Sequence, residues 1–434
     1  MIRCGDTVTL EIIETNMLGN GVAKVDNMVV FCHGAVEGDR VVALVTDVKK
    51  NYAEAKCLRI VTPSEHRVSA ACPVAAECGG CVFDGVSYAH ECEVKRRGIE
   101  SALRREGIRA GVSRFVGTEC SGYRNKAVFH FNDEGKCGFF SAGTKNFTEI
   151  EKCVICDEKI NIIKNEVERI VSEDDDIIPG KLTYLYIRYM KETDEASVVI
   201  GYTGEADLSP FAKQLAVKLP YVRCVMRGRA ESPEAKDERF ELLSGSGFMN
   251  AVVAGIDLKL TPAAFCQVNT AGAASLCSEV SRLAALMDGE RAADIYCGAG
   301  LFGLTLAKSA PGAEVYGIEI NGAAVSAAND AAAKSGIGNA FFLQGDSSEL
   351  KSKTGIDSLD VAVVDPPRSG LSKKTVAELF DLSPKRIVYV SCNPSTLARD
   401  VKSLSEHYEL TEVVGVDMFP RTKHIETVVL ITRT

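Results

Sequence analysis

The 434-residue chain has no tryptophan, and aromatic residues of all kinds make up only 7%. Extended aromatic platforms for stacking bases are therefore not its expected way of holding a nucleic acid. Long apolar runs are missing too. The longest uncharged stretches, Leu242–Ile256 and Thr261–Ser278, are broken by Gly, Ser, Asn or Gln, whereas a membrane span needs ~20 consecutive apolar residues. The opening MIRCGDTVTLEI lacks the apolar centre of a signal peptide. A cytoplasmic protein with no membrane contact is the expectation. Basic excess is absent as well: 50 Lys and Arg against 59 Asp and Glu give a net charge of −9. That excludes a uniformly basic nucleic-acid binder and leaves room for a local basic face.

What is present is ordinary globular usage, 46% hydrophobic and 25% charged, which excludes a disordered, collagen-like or coiled-coil chain. At ~150 residues per domain, the length predicts about three domains. The chain also carries 16 cysteines. In a reducing compartment, clustered cysteines read better as metal ligands or catalysts than as disulfides.

The architecture predicted is a multidomain α/β protein. Residues 1–60 alternate Val/Ile/Thr-rich runs with polar residues and turn every 8–12 positions, as in a small antiparallel barrel. Residues 61–255 form a β-rich central domain: a Cys-rich segment, a helix from about Tyr88 to Glu106, then strands and hairpins with one helix near Lys159–Ser172. Lys95, Arg96, Arg97, Arg104 and Arg105 make that first helix the densest cationic stretch, with Arg109 and Arg114 just beyond, and it reads as an RNA-facing surface. Residues 256–434 alternate strand and helix signals, which implies βαβ units and a Rossmann-like parallel sheet.

The first βα turn of the last domain, Asp294-Ile-Tyr296-Cys-Gly298-Ala-Gly300-Leu-Phe-Gly303, lets the backbone approach a ligand closely, and Glu319 ends the next strand where ribose hydroxyls would sit. This turn alone does not separate NAD from S-adenosylmethionine. The segment Asp365-Pro366-Pro367-Arg368 decides for S-adenosylmethionine, because two prolines fix a rigid ledge beyond a buried strand. Such a ledge presents carbonyls and a carboxylate to a planar base, and a hydride-transfer site has no use for it.

The following strand delivers Cys392 to the same edge, and His424 and Glu426 close the chain's last motif. A cysteine, a carboxylate and an adenosyl cofactor together point to carbon methylation of a pyrimidine. Uracil C5 is too weak a nucleophile until a thiolate adds at C6. Cys392 is the expected nucleophile and Glu426 the base that removes the C5 proton, with Asp365 holding the uracil edge and Lys423 or Arg421 assisting the thiolate. Cys72, Cys78 and Cys81 form a C-x5-C-x2-C loop, with Cys153 or Cys156 as a fourth thiolate, a set suited to zinc or an iron–sulfur cluster.

These motifs, with FCQVNT at Phe265–Thr270, YVSCNPSTLARD, PRTKHIE and YRNKAVFHF, resemble the RNA (uracil-5-)-methyltransferases of the RumA type over essentially the whole chain. The resemblance implies a TRAM domain at the amino terminus and a [4Fe-4S] cluster on Cys72, Cys78, Cys81 and Cys153. It implies cofactor contacts from Gln267, Tyr296, Gly298, Glu319, Asp346 and Asp365. It also packs the stretch near residues 93–121 against the catalytic domain. The substrate implied is a flipped-out uridine of 23S ribosomal RNA, with transfer RNA as the alternative; a monomer is expected. Two other classes explain less of the sequence. An NAD-linked iron–sulfur oxidoreductase leaves DPPR, SCNP and HIE without roles, and a noncatalytic RNA-binding protein leaves Cys392, Glu426 and Asp365 intact for no purpose.

Overall fold

The computed structural model of the protein describes every residue except 1, 142, 143, 145, 175 and 235–238. At the amino terminus, six strands between Thr7 and Thr62 form one sheet around a small core that includes Leu10, Val30, Val41 and Ala53. It is not the purely antiparallel barrel that the turn spacing predicts. The strand Met28–His33 runs parallel to Tyr52–Thr62, because the 40–48 strand crosses back between them in sequence.

The central domain is a seven-stranded sheet between Lys126 and Gly245. Helix Glu158–Glu173 lies on it, and so does a second helix, Ser209–Lys218, that the strand-rich reading missed. Its signal was local: Pro210 in the first turn, where a proline costs no hydrogen bond, and Phe211, Ala212 and Leu215 buried on one face.

The helix Tyr88–Arg105 (α1) and the strand Arg114–Val116 (β1) precede that sheet in sequence but pack elsewhere. β1 pairs in parallel with Tyr408–Val416 (β7), and α1 lies against Pro394–Leu404 (α2). The remaining strands are Arg291–Ile295 (β2), Glu314–Glu319 (β3), Ala340–Gln344 (β4), Val361–Val364 (β5), Arg386–Ser391 (β6) and Glu426–Arg433 (β8). The eight-stranded order is β4-β3-β2-β5-β6-β8-β7-β1. β2 to β6 are parallel, and β8 enters antiparallel between β6 and β7. The strand order reverses at β2/β5, the place where open α/β sheets bind ligands. The expected boundary at 255/256 cuts the hairpin Met249–Val253/Ile256–Leu260, which packs on the helices of this last domain. Among the described residues no helix is long and apolar enough to cross a membrane.

Candidate active site and cysteine-lined cavity

The antiparallel β6–β8 ladder ends at Ser391↔Thr427, so Cys392, just past β6, and Glu426, the first residue of β8, come together there. Sequence alone separates them by 34 positions; the β6–β8 ladder makes them neighbours. Asp365 follows β5, one strand along. Cys392 and Asp365 are half-buried and Glu426 is buried. Burial pushes the Glu426 carboxyl well above its ordinary range, the Asp365 carboxylate adds to this, and Arg368 opposes it. Asp365 itself is pushed up to about 7 by burial and by Asp294. The Cys392 thiol is raised by burial and by Glu426, and Arg368 pulls it back through charge and a hydrogen bond.

The thiolate's cationic neighbour is therefore Arg368, not Lys423 or Arg421. Lys423 is exposed. The Arg421 guanidinium turns away to donate to the Val86 carbonyl at 2.6 Å, with Glu91 3.5 Å off. Arg368 was legible in DPPR as a cation directly after the prolines, but nothing in the sequence aims it at Cys392.

The glycine-rich turn departs from β2 with Tyr296 in the left-handed region at φ +67°, which a side chain adopts only where its surroundings impose it. The Tyr296 hydroxyl is 2.9 Å from Thr375 Oγ1, which is 2.8 Å from Ser347 Oγ. Gly300 also has a positive φ, and a Cβ there would lie 2.7 Å from the Phe342 ring. The Gly298 N–H donates to Glu319 Oε2 at 3.2 Å, so the turn and the end of β3 face one another. Beneath them, Asp294 is fully buried, accepts a 2.7 Å bond from the Gly303 N–H, and is pushed up to about 7 by burial, with Glu319 adding. Asp346 is exposed, and its carboxylate is engaged by the Ser348 N–H and hydroxyl. Gln267 is half-buried, and its carbonyl accepts a 3.0 Å bond from Asn125. Two residues before it, Phe265 is 75% exposed, an apolar ring that the sequence reading quoted only as part of a motif.

Cys72, Cys78, Cys81 and Cys153 line one cavity of about 200 Å³, together with Cys120, Asp84 and Arg421. Burial and the sulfurs of Cys153, Cys72 and Cys78 push the Cys81 thiol up to about 12. Cys156, the other candidate, is buried against the hydrophobic core of the central domain and does not line the cavity. Among the described residues no group of three or more His, Cys, Asp and Glu is arranged to hold a metal ion.

The cationic helix does not present all of its charges to solvent. Lys95 is fully buried between Glu91 (2.7 Å) and Asp417 (2.8 Å). Arg96, Arg97 and Arg114 pair with Glu93, Glu37 and Glu279, while Arg104, Arg105 and Arg109 remain exposed.

Known proteins resemble this chain along its whole length. The TRAM domain matches residues 3–58, and the family described as tRNA (uracil-5-)-methyltransferase matches residues 87–434. A protein of Clostridium tetani named as an uncharacterized RNA methyltransferase is 32% identical, over 99% of this chain and 97% of its own. A Bacillus cereus protein of the same name is 31% identical, over 100% and 98%. Among solved structures, the tRNA (uracil-54, C5)-methyltransferase of Pyrococcus abyssi, in complex with S-adenosyl-L-homocysteine, superposes with a TM-score of 0.78 at 26% identity, over 98% of this chain and 100% of its own. The chain belongs to the tRNA (uracil-5-)-methyltransferase family and carries an amino-terminal TRAM domain.

Proposed function

We propose that the protein transfers a methyl group from S-adenosylmethionine to C5 of a uridine in RNA, through a covalent bond between Cys392 and C6 of the ring. The observation that carries this reading is the approach of Cys392 to Glu426 where the β6–β8 ladder ends, with Asp365 and Arg368 beside them. S-adenosylmethionine supplies an electrophilic methyl group. The turn 296–303, Glu319 and Gln267 are the residues suited to hold it, with Asp346 as an outer contact.

The Cys392 thiolate, stabilised by Arg368, adds to C6, and the ring's electrons move onto C5 and the C4 oxygen. Asp365, whose carboxyl burial pushes up to about 7, donates a hydrogen bond to a ring carbonyl in its protonated form. C5 then takes the methyl group. Glu426 removes the C5 proton, the C5–C6 double bond re-forms, and the C6–S bond breaks to return the thiolate. A carboxylate with a raised pKa is a stronger base than an ordinary one, which suits it to a carbon-bound proton.

Four sulfurs around one cavity, none of them paired in a disulfide, fit a [4Fe-4S] cluster on Cys72, Cys78, Cys81 and Cys153. Zinc is the alternative for the same four thiolates. The cluster's proposed role is structural.

The substrate we favour is 23S ribosomal RNA, on the strength of the TRAM domain combined with the four-cysteine cavity. Transfer RNA is the second reading, favoured by the activity named for the Pyrococcus abyssi enzyme. Mapping 5-methyluridine in both RNA pools from cells with and without the protein separates them; no change in either defeats the proposal.

A further inference from the structure

The loop between β7 and β8, residues 417–425, joins Asp417 to the catalytic edge at Glu426. Five successive carbonyls in it are each bonded by a different part of the molecule. The Asp417 carbonyl accepts from Thr118 Oγ1 (2.8 Å), Met418 from Asn269 Nδ2 (3.0 Å), and Phe419 from Lys95 Nζ (3.2 Å). The Pro420 carbonyl accepts from the Tyr123 hydroxyl (2.9 Å), and that of Arg421 from the Phe83 N–H (3.0 Å). Phe83 lies two residues beyond Cys81, and Arg421 lines the cysteine cavity.

Arg421 is the conformational outlier of this loop. It is a non-glycine residue at φ +71°, a conformation that persists only when the surroundings over-determine it. Glu91 accepts its N–H at 2.7 Å, Phe83 donates to its carbonyl, and its guanidinium is held by the Val86 carbonyl and lies over the Tyr88 ring. The chain then turns back on itself. Thr422 Oγ1 donates to the Phe419 carbonyl, the His424 N–H donates to Thr422 Oγ1, and the Phe419 and His424 rings meet edge to face at 5.9 Å. Glu426 follows.

We propose that Arg421 is a positioning residue for proton removal: the cysteine-rich loop and Glu91 lock its left-handed turn, and the turn aims Glu426 at the reacting ring. The inference rests on Glu426 being the base. The cysteine-rich loop thereby acts on the chemistry without touching substrate, through one backbone hydrogen bond two residues from a sulfur.

The test compares the full-length protein with its Arg421→Ala, Arg421→Gly and Tyr123→Phe variants on a uridine-containing RNA substrate. The readouts are methyl transfer, calorimetric binding of S-adenosylhomocysteine, and protein–RNA species that survive denaturation. Arg421→Ala is expected to slow release of methylated RNA about 100-fold, the order of loss that a displacement near 1 Å produces. A denaturation-resistant species then accumulates on ordinary uridine, because the ring is methylated but its C5 proton stays in place. S-adenosylhomocysteine binding stays unchanged, and Arg421→Gly, which favours the same backbone conformation, retains more activity than alanine. If Arg421→Ala does not fold, Tyr123→Phe decides: deleting one hydroxyl should trap the same species to a lesser extent. Release at the wild-type rate, or a loss of turnover with no trapped species and intact cofactor binding, overturns the proposal. A wild-type protein that leaves no adduct on 5-fluorouridine RNA instead defeats the covalent reading beneath it.

Discussion

Two groups of buried charge sit at opposite ends of the 417–425 loop, and they are built on opposite principles. At the entry, Lys95 and Arg421 face Glu91 and Asp417, two cations against two acids, with the Tyr88 hydroxyl donating to Asp417 at 3.0 Å. At the exit, Asp294 raises the proton affinity of Asp365 and Asp365 that of Glu426, while Arg368, itself exposed, opposes the rise at Glu426. The first group is electrostatically closed and holds segments together. The second leaves carboxyls with a surplus affinity for protons, the condition that chemistry needs and a purely structural site avoids.

The strongest way to break this contrast lies at the exit. Cys392→Ala should abolish methyl transfer and the 5-fluorouridine adduct while leaving RNA binding intact in a filter assay; residual full activity would remove Cys392 as nucleophile. Glu426→Gln should slow turnover by about 10²–10⁴ and trap the methylated adduct on a denaturing gel.

At the entry, the effect should appear in stability instead. Lys95→Met leaves Asp417 without its buried cation and Glu91 with Arg421 alone, and about 3–5 kcal/mol should be lost in denaturant unfolding. Adding Asp417→Asn should restore part of it; no recovery would show that the charges are not the cause.

Two smaller effects sharpen the comparison through pH. Because Arg368 favours the charged forms of both Cys392 and Glu426, Arg368→Ala should move the rising limb of the pH–rate profile to higher pH. Asp294 binds a proton more tightly in the folded protein than when unfolded. Its contribution is therefore most favourable below the ordinary carboxylate pKa and is lost as pH rises towards about 7. Asp294→Asn should accordingly raise the melting temperature relative to wild type more at pH 8 than at pH 5. An equal shift at both would mean that the buried carboxyl does not titrate there.

The exit group was largely legible in the sequence. Gly298, Asp365 and Cys392 follow consecutive buried strands of a parallel sheet, and such sheets gather the residues after their strands along one edge. The entry group was not. Lys95 reads as one of several helix-surface cations, and only Asp417, 322 positions later, explains its burial. The barrel's parallel pair and the helix Ser209–Lys218 were obscured for a similar reason: strand pairing and helix packing are long-range, whereas turn spacing and propensity are local. Arg368 was visible as a residue, but its partner depends on how Asn393 and Thr396 hold the Arg368 carbonyl.

The antiparallel insertion of β8 has a consequence for how this catalyst can vary. The nucleophile follows the last rung of β6 and the base opens β8, so their separation rests on the Ser391↔Thr427 pairing together with the loop that leads into Glu426. Slipping that strand by a single residue would turn Glu426 to the opposite face of the sheet. Extra residues in the connections at the far, amino-terminal ends of the parallel strands would leave the two groups where they are.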